Sequence, residues 1–236
     1  MISLIDGALP PHITGQDPIA GRLLSWWEAY RDTEIARFYR TENNGCIALM
    51  DTQAVAYIPT EDADEAASFF EWQPQIGSVC TNVPNCFVGK ANTFTAMIAP
   101  KVAKTEVLES VSLQQLYTFL QPFFDDLPPF EAWYLDVSYR TRHGLCRHAV
   151  ITDHGQIVAA AMTTAEWQGG TLLGGVATHP DFRRRGYAGR LVMALTSRLQ
   201  EMGKTVWICP YNPPARRLYE SLGFCEQGKV IVMERM

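Results

Sequence analysis

The chain has 236 residues, an apolar fraction of 47%, a charged fraction of 19% and a formal net charge of -5. This composition is typical of a globular chain of one large or two small domains and argues against long disordered stretches. The mild acidity argues against a general nucleic-acid or membrane-surface binder, because such proteins carry an excess of Lys and Arg.

The chain starts without the basic and apolar regions of a signal peptide, and no apolar run approaches the roughly 18 residues of a membrane span. The six cysteines form no CxxC pair, so neither a zinc site nor a thioredoxin-like motif is expected. We therefore expect a cytoplasmic protein with reduced thiols, without a metal, and with neither a membrane nor a nucleic acid as partner.

The first half of the chain shows a mixture of helix and strand patterns. In chain order these are one or two helices within 18–40, a strand hairpin over 46–58, a helix over 60–72, short strands at 76–82 and 93–99, and a helix over 108–124 that Pro122 ends or kinks. Segment 125–133 is acidic and contains Pro128-Pro129, which cannot continue a helix. We therefore predict two domains, 1–127 and 128–236.

The second half is more regular and predicts the order strand, strand, strand, helix, strand, helix, strand. The first two strands meet at a turn, Asp153-His154-Gly155, and the two helices fall within 186–203 and 213–224. Asn212 is expected to cap the second helix, and Gly203 stands where a glycine commonly ends the first.

The loop before the first of these helices carries three adjacent arginines, Arg183, Arg184 and Arg185. A helix N-terminus exposes about four unbonded N–H groups and favours anions, and the small residues Gly186, Ala188 and Gly189 leave room for one to approach. The alternative for such a run is an ordinary solvated surface. The glycines favour the first interpretation, a site for a phosphate or diphosphate.

Two motifs on either side of the 204–209 strand resemble a known family. Residues 183–188 fit the [Q/R]-x-x-G-x-[G/A] element of the GNAT superfamily, the acyl-CoA-dependent N-acetyltransferases, and residues 212–224 are similar to its N-x-x-A-x-x-L-Y-x-x-x-G-F element. The motifs cover about 174–224, and the strand order extends the resemblance to 130–236. The resemblance implies an α/β fold with a mixed, mostly antiparallel central sheet flanked by helices, preceded here by a smaller α/β domain.

The resemblance also implies acetyl-CoA as cosubstrate and assigns its contacts. In that family the strand before the loop pairs with the pantetheine arm, the loop amides bind the diphosphate, and an asparagine contacts the pantetheine or the loop beside it. The matching residues here are Val176, Ala177, Thr178, Arg183, Arg184, Arg185, Gly186, Tyr187, Ala188, Gly189 and Asn212.

Two residues are candidates for catalysis. Tyr219 matches a tyrosine whose hydroxyl often lies near the thioester sulfur, so it could protonate the leaving thiolate, although packing between helix and sheet is the alternative. Glu166, at the end of a strand, is the candidate general base, while many members of the family use water or no base.

His179 fits a supporting position beside the loop, and His154 is expected to be exposed. A backbone N–H near Val176 could polarise the thioester carbonyl.

The first half contains neither motif. We expect it to be either a degenerate GNAT-like copy or an unrelated α/β cap that lines part of the acceptor pocket. In segment 136–144, Arg140, Arg142 and His143 either attract an anionic acceptor or belong to a solvated surface.

The predicted function is transfer of an acetyl group from acetyl-CoA to a primary amine of a small molecule, peptide or protein, directly within a ternary complex. The alternatives are a non-catalytic acyl-CoA sensor and a phosphate- or nucleic-acid-binding domain that uses the arginine run. Other acyl donors, such as propionyl-CoA or succinyl-CoA, remain open at this point, and so does the oligomeric state.

Overall fold

The computed structural model describes residues 1–15, 17–103 and 109–235. The strands within this part of the chain are β1 (Ser3–Leu4), β2 (Ala36–Arg40), β3 (Cys46–Met50), β4 (Gln53–Tyr57), β5 (Ser78–Thr81), β6 (Lys90–Ile98), β7 (His148–Asp153), β8 (Gln156–Trp167), β9 (Gly170–Thr178), β10 (Thr205–Ile208) and β11 (Cys225–Glu234). The helices are α1 (Pro18–Tyr30), α2 (Ala63–Glu71), α3 (Leu113–Leu120), α4 (Phe130–Arg142), α5 (Tyr187–Glu201) and α6 (Pro213–Ser221). Short 3-10 turns precede α2 and α5.

The chain divides into two compact units at positions that the sequence did not indicate. The first unit comprises Met1–Ala96 and Glu226–Met236, and the second comprises Met97–Cys225. The predicted boundary between 127 and 128 lies inside the second unit. The reason is that α3, before that boundary, and α4, after it, contribute side chains to the same hydrophobic core.

The two units share one strand pattern. In the first, β2, β3 and β4 pair in antiparallel order, α2 connects β4 to the parallel strand β5, and β11 lies antiparallel on β5. In the second, β7, β8 and β9 pair in antiparallel order, α5 connects β9 to the parallel strand β10, and the end of β6 lies antiparallel on β10. The predicted class, a mixed and mostly antiparallel sheet flanked by helices, is confirmed.

Alternation along β8 divides the core of the second unit into two layers. Ala159 and Ala161 belong to the core that contains the buried residues of α5, whereas Ala160 and Met162 belong to the core of α3 and α4. Successive side chains of a strand point to opposite faces, so this pattern places helices on both faces of the sheet. A fully buried leucine in such a layer contributes about 1.5–3 kcal/mol to folding.

From β7 onward the predicted element order is confirmed, whereas two predictions before it are wrong and one helix was not predicted. Residues 36–40 form strand β2, not helix, because Ala36 and Phe38 alternate with exposed Arg37 in a period of two. The helix predicted over 108–124 is shorter: Ser112 and Gln115 form a capping box at its start, and Leu108 lies outside the described residues. Helix α4 was not predicted at all, because Pro129 at its start offers no side-chain cap.

Candidate functional site

Strands β9 and β10 separate part-way along β9. Their parallel pairing runs from Gly170↔Thr205 to Leu173↔Ile208, while β9 continues to Thr178. Among the described pairs, the continuation 174–178 is paired only with β8. One backbone edge of β9, about 16 Å long at roughly 3.3 Å per residue, is therefore left beside the opening between the strands.

A β-bulge lies in this free segment. Ala160↔Ala177 is followed by Met162↔Gly174, so β9 carries one more residue than β8 between these pairs. Gly175 lies within the bulge with φ +56°, a left-handed conformation that side chains other than glycine rarely adopt. The bulge turns the free edge of the strand at this point, and the Gly-Gly pair inside a strand pattern was the sequence signal for it.

The loop after β9 ends at the uncapped N-terminus of α5. Gly186 is the N-cap residue, has φ +80° and makes no side-chain capping bond. The first i→i−4 bond runs from the Arg190 N–H to the Gly186 carbonyl at 3.0 Å, so the N–H groups of Tyr187, Ala188 and Gly189 precede it. These amides form the concentration of donors that the sequence predicted.

The three arginines of the loop have different roles. Arg183 donates from Nε to the Thr178 carbonyl at 3.2 Å, and Arg185 donates from Nη2 to the Asp181 carbonyl at 3.0 Å. The Arg185 guanidinium also lies 4.9 Å from the centre of the Phe182 ring. Arg184 is exposed and has φ +64°. Two side chains thus hold the loop in shape, while all three add positive charge beside the helix amides.

Gly189 is buried and lies opposite α6, and a Cβ at its position would make only ordinary contacts there. A Cβ at this position would point toward α6, 3.5 Å from a methyl of Leu222 and 3.7 Å from one of Leu218. Beside it, α5 and α6 border a mostly apolar groove of about 430 Å³, lined by Gly186, Gly189, Arg190, Met193, Ala194, Leu218 and Leu222. The groove begins at the same glycine that caps α5, so it continues the loop site along the helices.

Tyr219 is buried close to the point where the strands separate. Its ring lies 5.9 Å from that of Phe224, and the side chain is only 5% exposed. Burial, with a smaller contribution from nearby Cys209, raises the pKa of Tyr219 to about 12. Cys209 directly follows the last residue of β10, so the phenol lies near the start of the free edge and remains neutral at physiological pH.

Asn212 and His179 flank the loop region in supporting positions. The Asn212 side chain accepts a hydrogen bond from the Ala215 N–H at 2.9 Å and caps α6, as the sequence predicted. His179 directly follows β9, and its Nδ1 lies 3.8 Å from an Asp181 carboxylate oxygen. The contact of Asn212 with a cofactor stays a prediction.

Glu166 lies in a buried ion-pair cluster, an environment that does not suit a general base. The side chain is completely buried, pairs with Arg147, lies 3.5 Å from the Lys204 ammonium and accepts a hydrogen bond from Thr163 at 2.9 Å. Its partner across the sheet is Thr171, seven residues before the end of β9 and thus about 23 Å from the loop. A fully buried carboxylate whose oxygens are taken up by two cations and a hydroxyl, this far from the loop, is better explained by a structural role.

Arg140 is also part of a structural contact. It is 6% exposed and donates from Nε to Asp136 at 2.9 Å and from Nη2 to the same carboxylate at 2.5 Å. Neither predicted role, attraction of an anionic acceptor or surface solvation, fits a buried guanidinium with its own carboxylate. Arg142 and His143 are exposed at the end of α4, and His154 is exposed in its turn, as expected.

Replacing Glu166 by Ala should destabilise the fold strongly. The change leaves Arg147 and Lys204 near a buried site without their carboxylate, which typically costs about 3–5 kcal/mol. The measurement is the free energy of unfolding in urea. Glu220→Ala is the control, because it removes an exposed pair with Arg216 that contributes about 0–1 kcal/mol. Equal losses in the two variants would contradict a structural role for Glu166.

The described residues contain no group of three or more His, Cys, Asp or Glu side chains arranged to hold a metal ion. None of the described helices is long and apolar enough to cross a membrane.

Comparisons with known proteins agree with this geometry. The model of the FR47-like protein family matches residues 149–232, from β7 to β11. The chain resembles the solved structure of a GCN5-related N-acetyltransferase from Kribbella flavida, with a TM-score of 0.65, 17% identity, and coverage of 92% of this chain and 94% of that one. No curated protein matches the sequence.

Two further solved structures share the fold. A GCN5-related N-acetyltransferase from Sphaerobacter thermophilus has a TM-score of 0.59 at 16% identity, with coverage of 90% of this chain and 84% of that one. A GNAT-family acetyltransferase from Colwellia psychrerythraea has a TM-score of 0.57 at 15% identity, with both chains covered completely. The family model thus matches the segment that contains the free strand edge, the loop and α6, and the chain shares its fold with these acetyltransferases.

Proposed function

We propose that the protein is an N-acetyltransferase that moves an acetyl group from acetyl-CoA to a primary amine, directly and within a ternary complex. The observation that carries the proposal is the continuity between the free edge of β9 and the uncapped amides of α5. The free strand edge suits an extended arm that contains amides, and the helix amides suit a diphosphate attached to that arm. Acetyl-CoA supplies this shape together with an acetyl group activated as a thioester.

The loop residues bind the diphosphate in this proposal. The N–H groups of Tyr187, Ala188 and Gly189 point along the helix axis toward the anion, and Gly186 leaves their approach open. Arg183, Arg184 and Arg185 add positive charge that a solvated diphosphate meets on entry. The apolar groove that starts at Gly186 accommodates the part of the ligand beyond the diphosphate.

The strand and Tyr219 act on the reacting atoms. The free N–H groups along 174–178 hold the pantetheine amides, and the N–H of Val176 donates to the thioester oxygen as negative charge develops on it. The amine nitrogen forms its bond to the carbonyl carbon as the carbon–sulfur bond breaks. The Tyr219 hydroxyl, which is protonated at physiological pH, donates its proton to the departing sulfur. The amine enters neutral and loses one N–H proton to water as the amide forms, and the Tyr219 phenolate regains a proton from water, so the products are the amide and the CoA thiol. Holding both reactants together lowers the barrier.

The first test is turnover with a panel of primary amines, including free-amine small molecules and peptides with lysine and free N-termini. Incubation with acetyl-CoA should yield at least one acetylated amine, detected by mass spectrometry, with CoA formed in equal amount. If acetyl-CoA binds but no amine in the panel is acetylated, the sensor function becomes the better interpretation. If acetyl-CoA does not bind, the proposal fails. Salt-dependent polynucleotide binding would instead favour the nucleic-acid alternative.

Replacing Gly186 by Ala should weaken CoA binding at least tenfold at a modest cost in stability. The left-handed backbone at this N-cap costs an alanine about 1–2 kcal/mol, and relaxation of that strain moves the loop amides out of position. Gly203→Ala is a matched control: Gly203 has φ +76°, and a Cβ there meets no atom within 4 Å, as at Gly186, but it lies at the other end of α5. Calorimetric titration with CoA compares the variants, and equal affinities would contradict the loop assignment.

Replacing Tyr219 by Phe should lower turnover by about 10²–10⁴-fold while CoA affinity stays as in the wild type, because the hydroxyl acts on the leaving group and not on the ground state. Steady-state kinetics and calorimetry separate the two effects. Tyr134→Phe removes an exposed hydroxyl from α4 and should change neither. Wild-type turnover in Tyr219→Phe would rule out the catalytic role and leave packing as the explanation.

Tyr219 also predicts a pH dependence of stability. Its pKa rises from an ordinary 10.0 to about 12 on folding, so the folded state binds this proton more tightly than the unfolded state does. The resulting stabilisation is complete below pH 10 and is lost as the pH rises toward 12. Urea unfolding across this range should show a smaller alkaline loss in Tyr219→Phe than in the wild type. Identical losses would mean that the phenol is not protected from solvent.

A further inference from the structure

The groove between α5 and α6 combines apolar walls with one charged side chain. Met193, Leu218 and Leu222 line it and are half-buried, so part of their apolar surface faces the groove. Among the described residues that line the groove, Arg190 alone is charged, and its side chain is exposed. The volume of about 430 Å³ falls within the roughly 300–1,000 Å³ of small-molecule pockets. The groove therefore suits a flat apolar group that has an anionic substituent.

Arg190 lies one turn of α5 beyond Gly186. Its N–H donates to the Gly186 carbonyl at 3.0 Å, and four residues of an α-helix rise about 6 Å along the axis. The proposed diphosphate site consists of the amides of 187–189, directly before Arg190, and Gly186 belongs both to this site and to the groove. A ligand that binds at these amides and continues into the groove therefore comes within reach of the Arg190 guanidinium.

We propose that Arg190 makes the site selective for the complete nucleotide, by binding the 3′-phosphate of coenzyme A while the adenine lies against the apolar wall. The inference rests on the proposed function, which puts the diphosphate at the start of α5. The ribose of CoA carries the 3′-phosphate between the diphosphate and the base, so a base in the groove keeps this phosphate near Arg190. A guanidinium forms strong, often bidentate hydrogen bonds to phosphate oxygens, and the polarizable sulfur of Met193 favours contact with an aromatic ring. The acetyl donor is then a thioester of the whole nucleotide and not of a phosphopantetheine arm alone.

The test compares CoA with 3′-dephospho-CoA, which lacks only the phosphate that Arg190 binds in this proposal. Calorimetric titration gives both dissociation constants and needs no knowledge of the acceptor. The wild type should bind CoA about tenfold more tightly than 3′-dephospho-CoA, the effect of one charge-assisted contact at an exposed site. In Arg190→Gln this preference should largely disappear, while the affinity for 3′-dephospho-CoA changes little.

A matched control variant and an internal control keep the test decisive. Arg198→Gln removes an exposed positive charge from the last turn of the same helix and should leave the preference unchanged. The affinity of Arg190→Gln for 3′-dephospho-CoA also reports that this variant is folded. A wild type that binds both ligands equally overturns the inference, and so does an Arg190→Gln variant that keeps the wild-type preference or binds both ligands more weakly by the same factor. Failure of the wild type to bind CoA would instead refute the proposed function.

Discussion

The separation of β9 from β10 after Leu173 is the constraint on which the rest of the candidate site depends. Up to that pair, the two parallel strands satisfy each other's backbone groups. Beyond it, β9 has a free edge, and a backbone edge that keeps unpaired N–H and C=O groups is a template for another extended chain. In this fold the template leads directly into the loop and the N-terminus of α5, so one ligand can use both.

The bulge at Gly175 sets the geometry along that edge. It turns the strand between the last pair with β10 and the loop, and it removes a side chain at the point where Met162 and Leu120 come closest. An alanine at this position is unfavourable for two reasons: the backbone is left-handed, and a Cβ has too little space. The same residue thus turns the backbone edge at the point where two buried side chains leave no space for a Cβ.

The three adjacent arginines of an otherwise acidic chain lie in the loop that leads to the N-terminus of α5. The amides at the start of α5 provide fixed partial charges that need no reorganisation, while exposed arginine side chains must be ordered to bind an anion. Arg183 and Arg185 bond to carbonyls of their own loop, so part of their contribution is to hold the amides in position. Replacing one arginine should therefore have a smaller effect than changing the backbone at Gly186.

The motif at 183–189 and the helix that begins after Asn212 were predictable from the sequence, because their chemistry depends on local backbone and on fixed spacing. The ion-pair cluster around Glu166 was not predictable from the sequence. Its three partners come from residues 147, 163 and 204, and only tertiary structure brings these together. Helix α4 was not predicted because its own sequence lacks the local signals of a helix. Its start has no side-chain cap, and the apolar residues Tyr134 and Leu135 are exposed, so its apolar residues do not fall on one face. Gly189 faces Leu218 and Leu222 of the α6 segment, a packing position that the spacing of the motif alone does not reveal.

The first unit repeats the strand order of the second, and this supports the proposal that residues 1–127 contain a degenerate copy. The equivalent of the arginine loop is the turn between β4 and α2, where Glu61, Asp62, Asp64 and Glu65 occupy the start of the helix. Asp62 is buried there and accepts hydrogen bonds from Thr41 and Asn43. These carboxylates already complement the positive N-terminal end of α2, and they would repel a diphosphate that approached it. The first unit therefore keeps the order of strands and helix but carries carboxylates where arginines precede α5.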